Sequence, residues 1–214
     1  TEQFEMINKK IENQSNDSLF FTRSNLDNSK VDKIVSDALH KADDGELFME
    51  FCESESFVYD DQRLKSASFD TSKGFGLRAI AGESSGYAHS SDIDENALKK
   101  ASETVNFITK DHNANFNANF SKTNRKLYNE INPINETEFS EKVETLKKID
   151  EYARSKNPNV KQVSASLNGE WQAVRIYRPG GIMIEDLRPL VRLYVSIVLE
   201  KDGRQENGSR GSGG

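Results

Sequence analysis

The stretch ELFMEFCESESFVYDDQRLKSASFDTSKGFGLRAIAGESSGYAHSS, residues 46–91, decides the fold class. Leu47, Met49 and Phe51 alternate with the residues between them, which is the two-residue period of a β-strand. DDQR (60–63) and GESSG (82–86) have the composition of tight turns. The stretch therefore predicts an antiparallel meander of three strands.

Three amphipathic helices are predicted around this meander. The first is capped by Asp27 or Ser29, the second follows Asp94, and the third covers about 137–154 and ends at Asn157 and Pro158. Each helix has one apolar face, formed respectively by Val31, Ile34, Val35, Ala38, Leu39 and Ala42, by Ala97, Leu98, Ala101, Val105 and Ile108, and by Phe139, Val143, Leu146, Ile149 and Ala153. The fold class predicted is α+β, with antiparallel meander sheets packed against three amphipathic helices.

The C-terminal part returns to strand periodicity. We predict turns at NGE (168–170) and RPGG (178–181), and a hairpin at KDGR (201–204), because Asp-Gly tolerates the positive φ angles of a type I′ turn. The strand that returns from this hairpin is predicted to be short. It gives way to GSRGSGG (208–214), which we interpret as a loop.

These elements divide the chain into five segments. We predict a polar, disordered leader (1–18), a helix–β-meander–helix unit (19–108), a polar Asn-rich connection (109–135), a helix plus antiparallel β unit (136–207), and a truncated glycine-rich loop (208–214).

Composition excludes several classes of protein. The formal net charge is −6, and Lys and Arg are interleaved with acids, which argues against a nucleic-acid or anionic membrane surface. The single cysteine, Cys52, excludes an internal disulfide and suits a reducing compartment. The chain starts without an apolar signal segment, and no run approaches the roughly 18 apolar residues of a membrane span. We therefore expect a cytoplasmic protein without a membrane or nucleic-acid partner.

Two glycine-containing motifs match catalytic or cofactor patterns only in letters. GESSG fits the G-x-S-x-G nucleophile elbow at Ser84, with His89 as a conceivable base, but that motif needs a helix directly after the serine, and YAHSS has strand character. GFGLRA (74–79) resembles a dinucleotide-binding loop but opens no helix. We interpret the first as a hairpin turn and the second as strand glycines.

The sequence predicts neither catalytic nor metal-binding residues. His40, His89 and His112 are spread along the chain, and Cys52 has no CxxC partner. The acid pairs Asp43–Asp44 and Asp60–Asp61 fall in predicted turns, and Trp171 is expected in the core.

Four stretches, in order, resemble one family. They are SNLD (24–27), GFGLRAIAGESSGYAHSSDI (74–93), VSASLNGEW (163–171) and DLRPLVRLYVSIVLEKDGRQENGSRGSGG (186–214). Together they resemble the N-terminal half of TldD-type proteins of the TldD/PmbA metallopeptidase family, also called modulators of DNA gyrase. The resemblance implies a zinc-dependent peptidase that acts on unfolded or flexible peptides. It also implies pairing with a PmbA-like (TldE) subunit or a second copy.

The family's metal motif, HExxxH, does not occur in this sequence. The resemblance therefore implies that this chain is the non-catalytic N-terminal part, inactive alone, with the zinc expected in a missing C-terminal part. It would supply scaffold, a subunit interface and part of a peptide chamber, with Gly208, Gly211, Gly213 and Gly214 beside the substrate. Two alternatives stay open: the module is non-catalytic and functional at this length, binding peptides or assisting assembly, and the glycine tail is an engineered linker.

Overall fold

The computed structural model describes residues 16–22, 24–112, 127–128 and 131–214. Six antiparallel strands form one sheet in the order β3-β2-β1-β4-β5-β6. The strands are β1 (Asp44–Asp60), β2 (Arg63–Ala81), β3 (Ser84–Ser90), β4 (Val160–Arg178), β5 (Ile182–Lys201) and β6 (Arg204–Gly213). The helices are α1 (Asn16–Phe21), α2 (Asn28–Leu39), α3 (Glu95–Thr109), α4 (Pro133–Glu136) and α5 (Phe139–Lys156). The α+β prediction is confirmed.

Tight turns join the strands where the sequence predicts them. Asp61 and Gln62 have φ angles of 47° and 67°, and Asp202 and Gly203 have 52° and 78°. Two consecutive positive φ angles define a type I′ turn, whose twist suits a hairpin. Predictions of hairpins at DDQR and KDGR are therefore confirmed, as is the turn at RPGG, where Gly180 and Gly181 also have positive φ.

Contacts divide the chain into two compact units. The first consists of Thr1–Phe51, Ser72–Lys126 and Ala173–Asp186, and the second of Cys52–Thr71, Leu127–Gln172 and Leu187–Gly214. This division differs from the sequential one predicted at 109–135, because four long strands contribute residues to both units. The predicted leader up to residue 15 and residues 113–126 and 129–130 of the predicted connection lie outside the described residues. Residues 16–18 of the predicted disordered leader belong instead to helix α1.

The first unit packs α2 and α3 beside its strands. Asp27 and Asp94 cap these two helices by accepting hydrogen bonds from the amides of Lys30 and Ala97, each at 2.8 Å. The buried apolar side chains of the two helices are Val31, Val35, Ala38 and Leu39 on α2, and Leu98, Ala101 and Val105 on α3. Both apolar faces predicted from the sequence are therefore core faces.

Arg175 of β4 anchors the unpredicted helix α1 in this first unit. Its guanidinium is 2% exposed and lies 5.1 Å from the ring centroid of Phe20. It pairs with Asp17 at 2.7 Å and also with Glu185. A buried cation needs such partners, so α1 is held by charge as well as by apolar contact.

In the second unit, α5 covers a separate core. Leu146 of this helix is fully buried against Phe57, Tyr59 and Ala165 of the strands. The predicted third helix, 137–154, is thus present with a shift of two residues at each end. Within the described ranges, no helix is both long enough and apolar enough to cross a membrane.

The structure contradicts two predictions for the C-terminal part. The predicted NGE turn is wrong, because β4 continues through 168–170. Gly169 leaves room for the Glu55 side chain, whose Cγ and Oε1 would lie 3.0 Å from an added Cβ. The predicted short strand and loop are also wrong, since β6 extends through Gly213.

Candidate functional site

Strand β6 is one of the two edge strands of the sheet. Among the residues that the structure describes it pairs with β5 alone, in a register that sets Lys201 opposite Arg204 and Arg192 opposite Gly213. Every side chain of β6 is exposed. Edge strands are commonly shortened, covered or interrupted by proline, because their outer main-chain groups can pair with another chain. This ten-residue strand has none of these features within the described parts of the chain.

The register identifies which main-chain groups of β6 point outward. Val191 and Gly214 exchange two hydrogen bonds of 3.1 Å, so this pair is a hydrogen-bonded pair of the ladder. Such pairs alternate with pairs that do not exchange bonds. The N–H and C=O groups that face away from β5 therefore belong to Gln205, Asn207, Ser209, Gly211 and Gly213.

The glycines predicted to lie beside substrate differ in their surroundings. A Cβ added at Gly208 or Gly214 would meet nothing within 4 Å, and one at Gly211 would come into ordinary contact with the Tyr194 ring at 3.4 Å. At Gly213 it would lie 2.2 Å from the Val191 carbonyl oxygen, which no side chain tolerates. Only Gly213 is thus demanded by the packing of β5 and β6.

The rejected elbow and dinucleotide motifs have the structures predicted for them. Gly82 and Glu83 form the β2–β3 turn, with Gly82 at a φ of 57°, and Ser84 starts β3. No helix follows the serine, because strand β3 continues to Ser90. Gly74 and Gly76 lie inside β2, where an added Cβ would come within 2.8 Å of the Ser90 carbonyl oxygen or 2.6 Å of the Tyr87 hydroxyl.

The residues that the structure describes do not form a zinc site. Zinc in a peptidase needs about three protein ligands that converge. His40 contacts the Asp37 carbonyl at 2.7 Å, the His89 ring stacks on Tyr87, and His112 pairs with Asp43 at 2.7 Å. Among the residues that the structure describes, no three His, Cys, Asp or Glu side chains come together in a way that could hold a metal.

Both acid pairs contribute residues to turns or to hydrogen bonds with neighbouring residues. Asp43 accepts a 2.7 Å hydrogen bond from the Gly82 amide, and Asp61 takes the first position of the β1–β2 turn. Arg154 donates to Asp61 at 2.8 Å. The turn prediction is confirmed for Asp61 and wrong for Asp44 and Asp60, which are the end residues of β1. Trp171 is buried as expected.

Sequence reasoning missed a buried ion pair in the second unit. Lys142 of α5 donates to both carboxylate oxygens of Glu55, at 2.8 and 2.7 Å, and to the Ile134 carbonyl at 2.7 Å. Its side chain is 6% exposed and that of Glu55 is 5%. Lys142 stands one turn before the buried Leu146, and a lysine on the apolar stripe of a helix is the signal that could have revealed the pair.

A cleft of about 500 Å³ opens beside this pair. Its apolar lining includes Leu167 and Val191, and Glu55 and Lys142 form part of its polar lining. An ammonium group has three N–H donors, and Lys142 directs them to three oxygens of the protein. The pair therefore has a structural role, since it connects α5 with α4 and β1. Strand β6 is the better candidate for a binding function.

Known proteins resemble the chain along most of its length. The model of the PmbA/TldA metallopeptidase domain 1 matches residues 45–106, and the model of the PmbA/TldA metallopeptidase central domain matches residues 132–214.

The chain belongs to the PmbA/TldD metallopeptidase family.

A metalloprotease TldD homologue of Haemophilus influenzae is 34% identical over 206 residues, which are 94% of this chain and 42% of that protein. The TldD homologue of Buchnera aphidicola subsp. Schizaphis graminum is 28% identical over 194 residues, which are 90% of this chain and 40% of that protein. The chain thus spans about two fifths of the length of these relatives.

Two solved structures share the fold. A Bacteroides thetaiotaomicron protein described as a modulator of DNA gyrase superposes with a TM-score of 0.67 at 14% identity, over 86% of this chain and 44% of that one. TldE of Thermococcus kodakarensis superposes with a TM-score of 0.61 at 17% identity, over 86% of this chain and 42% of that one. At these identities the likeness concerns the fold alone.

Proposed function

We propose that this chain is the non-catalytic N-terminal part of a zinc-dependent peptidase that acts on unfolded or flexible peptides. In this proposal, the edge strand β6 holds the substrate as an additional extended strand. The observation that carries it is the row of outward main-chain groups on β6, from Gln205 to Gly213, on a strand that pairs on one side only within the described part of the chain.

Main-chain pairing suits this class of substrate. An added strand is bound through backbone N–H and C=O groups, which every peptide has, so recognition depends little on sequence. Folded proteins have already paired these groups internally, whereas an unfolded segment has not. A long edge strand without proline would therefore prefer flexible chains over folded ones.

Catalysis is assigned outside this chain. None of the described residues forms a group suited to zinc, and the sequence has no HExxxH. The zinc and the water-activating glutamate would come from a further part of the protein, and a PmbA/TldE-like subunit or a second copy would complete the assembly. A cytoplasmic location remains a prediction.

One experiment tests the proposal by measuring whether this chain binds peptides and whether it cleaves them. Labelled, uncharged, unstructured peptides of about ten residues are titrated with the chain and followed by fluorescence anisotropy, with and without added zinc. We expect binding and no turnover. Chelator-sensitive cleavage would overturn the assignment of catalysis to another part, and absence of binding would overturn the role of the edge.

A proline substitution locates the binding site. Asn207→Pro removes one outward N–H while the hydrogen bonds between β6 and β5 remain, and Asn207→Ala keeps that N–H. One main-chain hydrogen bond corresponds to roughly a two- to tenfold change in affinity. We expect such a loss for the proline variant alone, and equal affinities for both variants would contradict binding at β6.

A further inference from the structure

Peptide binding at β6 is the premise of a more specific inference about the substrate. We propose that the end of this edge around Gly211 selects extended peptides that carry an acidic side chain, and that Arg192 binds the carboxylate. Arg192 is thereby a specificity-determining residue.

The side chain of Arg192 lies beside Gly211 of the neighbouring strand β6. Arg192 belongs to β5 and is opposite Gly213. Its Nε and one Nη atom lie 3.7 Å from the position of a Cβ at Gly211, two residues earlier on the neighbouring strand. The guanidinium therefore rests above backbone that has no side chain of its own. The Tyr194 ring borders the same glycine at 3.4 Å.

Arg192, like Arg63, Arg78 and Arg210, has no acidic partner among the residues that the structure describes, whereas four other arginines do. Arg154, Arg175, Arg178 and Arg204 each form ion pairs with carboxylates. No hydrogen bond or ion pair is formed by the guanidinium of Arg192 within the described ranges. A guanidinium has five N–H donors and prefers planar carboxylates, so an anionic ligand is the complementary partner.

The spacing of strands places a bound side chain within reach of this cation. Neighbouring strands lie about 4.8 Å apart, and directly opposite residues direct their side chains to the same face. A peptide residue opposite Gly211 would therefore share the face of Arg192 and Tyr194. A glutamate there extends over Gly211 and meets the guanidinium, whereas at Gln205, Asn207 or Ser209 a side chain of β6 stands between the peptide and β5.

The test compares three peptides that differ only at one central position: glutamate, glutamine or lysine. An exposed ion pair changes affinity by roughly two- to fivefold. We expect the glutamate peptide to bind more tightly than the glutamine peptide by this factor, and the lysine peptide to bind most weakly. The glutamate preference should diminish at high salt, because exposed charges are screened.

Two substitutions distinguish a specific ion pair with Arg192 from general electrostatic attraction to the sheet edge. Arg192→Gln is expected to abolish the preference for glutamate over glutamine. Arg210→Gln removes the same charge from the opposite face of the same sheet edge and is the matched control, for which the preference should persist. Gly211→Val places a side chain between the bound glutamate and the guanidinium of Arg192. It should therefore abolish the preference as Arg192→Gln does.

The results for these peptides distinguish a role of Arg192 from peptide binding at β6. If all three peptides bind equally, or if the preference survives Arg192→Gln, the inference is overturned while peptide binding at the edge stands. If none of the peptides binds, the proposed role of β6 fails, and the inference fails with it.

Discussion

Replacing Lys142 with methionine is expected to lower the free energy of unfolding by about 3–5 kcal/mol. Methionine keeps the apolar stem of the side chain but removes the ammonium group that contacts Glu55 twice and Ile134 once. Because the Glu55 side chain is only 5% exposed, its carboxylate would be left buried without its cation. That uncompensated charge, rather than the lost attraction, accounts for most of the expected effect.

Lys147 provides a matched control on the same helix. It is half-exposed and pairs with Glu144 at 3.6 Å and Glu151 at 3.8 Å, so water already solvates its charge. Lys147→Met should change the free energy of unfolding by less than about 1 kcal/mol. The double variant Lys142→Met/Glu55→Met should recover much of the loss, because a buried pair replaced by apolar residues is often tolerated.

Urea denaturation measures these differences, with the fluorescence of the single tryptophan, Trp171, and far-ultraviolet circular dichroism as two probes. Trp171 is buried, so its emission should report loss of the core. The reasoning is refuted if Lys142→Met costs less than about 1 kcal/mol, if it equals Lys147→Met, or if the double variant is less stable than the single one.

Three further predictions follow from other contacts. Burial raises the pKa of Tyr177 from 10.0 to about 12, although Arg175 lowers it. The unfolded chain therefore loses this proton first, so the free energy of unfolding should fall between about pH 10 and 12, and Tyr177→Phe should lessen that fall in pH-dependent denaturation. Arg175→Met should cost about 2 kcal/mol and expose α1 to proteolysis, whereas unchanged stability and cleavage would contradict its anchoring role. Gly213→Ala should lower the melting temperature, because its Cβ would clash with the Val191 carbonyl, and Gly208→Ala, with open space around it, should not.

Local patterns were sufficient to predict most of the elements. Asp27 and Asp94 mark helix starts because a carboxylate can accept the orphan amides of the first turn, and both do so. Asp-Gly at 202–203 marks a hairpin because both residues reach positive φ. These signals depend on a few neighbouring residues, so no knowledge of tertiary structure is needed to interpret them.

Other features depend on residues that are distant in sequence. The sequence predicts a turn at Gly169, but this residue is a strand glycine that accommodates the Glu55 side chain from another strand. The glycines after Asn207 were interpreted as a loop, but pairing with β5 keeps them extended. In both cases, long-range packing overrides the local preference of glycine for turns.

The sequence points to only some residues of the candidate site. The glycines were expected near substrate because of a family resemblance, whereas the outward main-chain groups of β6 follow from the register with β5, which the sequence does not contain. Arg192 had no distinguishing pattern at all, since its relation to Gly211 arises from the same register.

Amide hydrogen exchange, resolved by residue in the presence of a saturating uncharged peptide, tests the central role of β6 most directly. The outward amides of Gln205, Asn207, Ser209, Gly211 and Gly213 should gain protection, while the inward amides of β6, which already pair with β5, should change little. Protection that is absent from β6, or that is equal for outward and inward amides, would contradict the account.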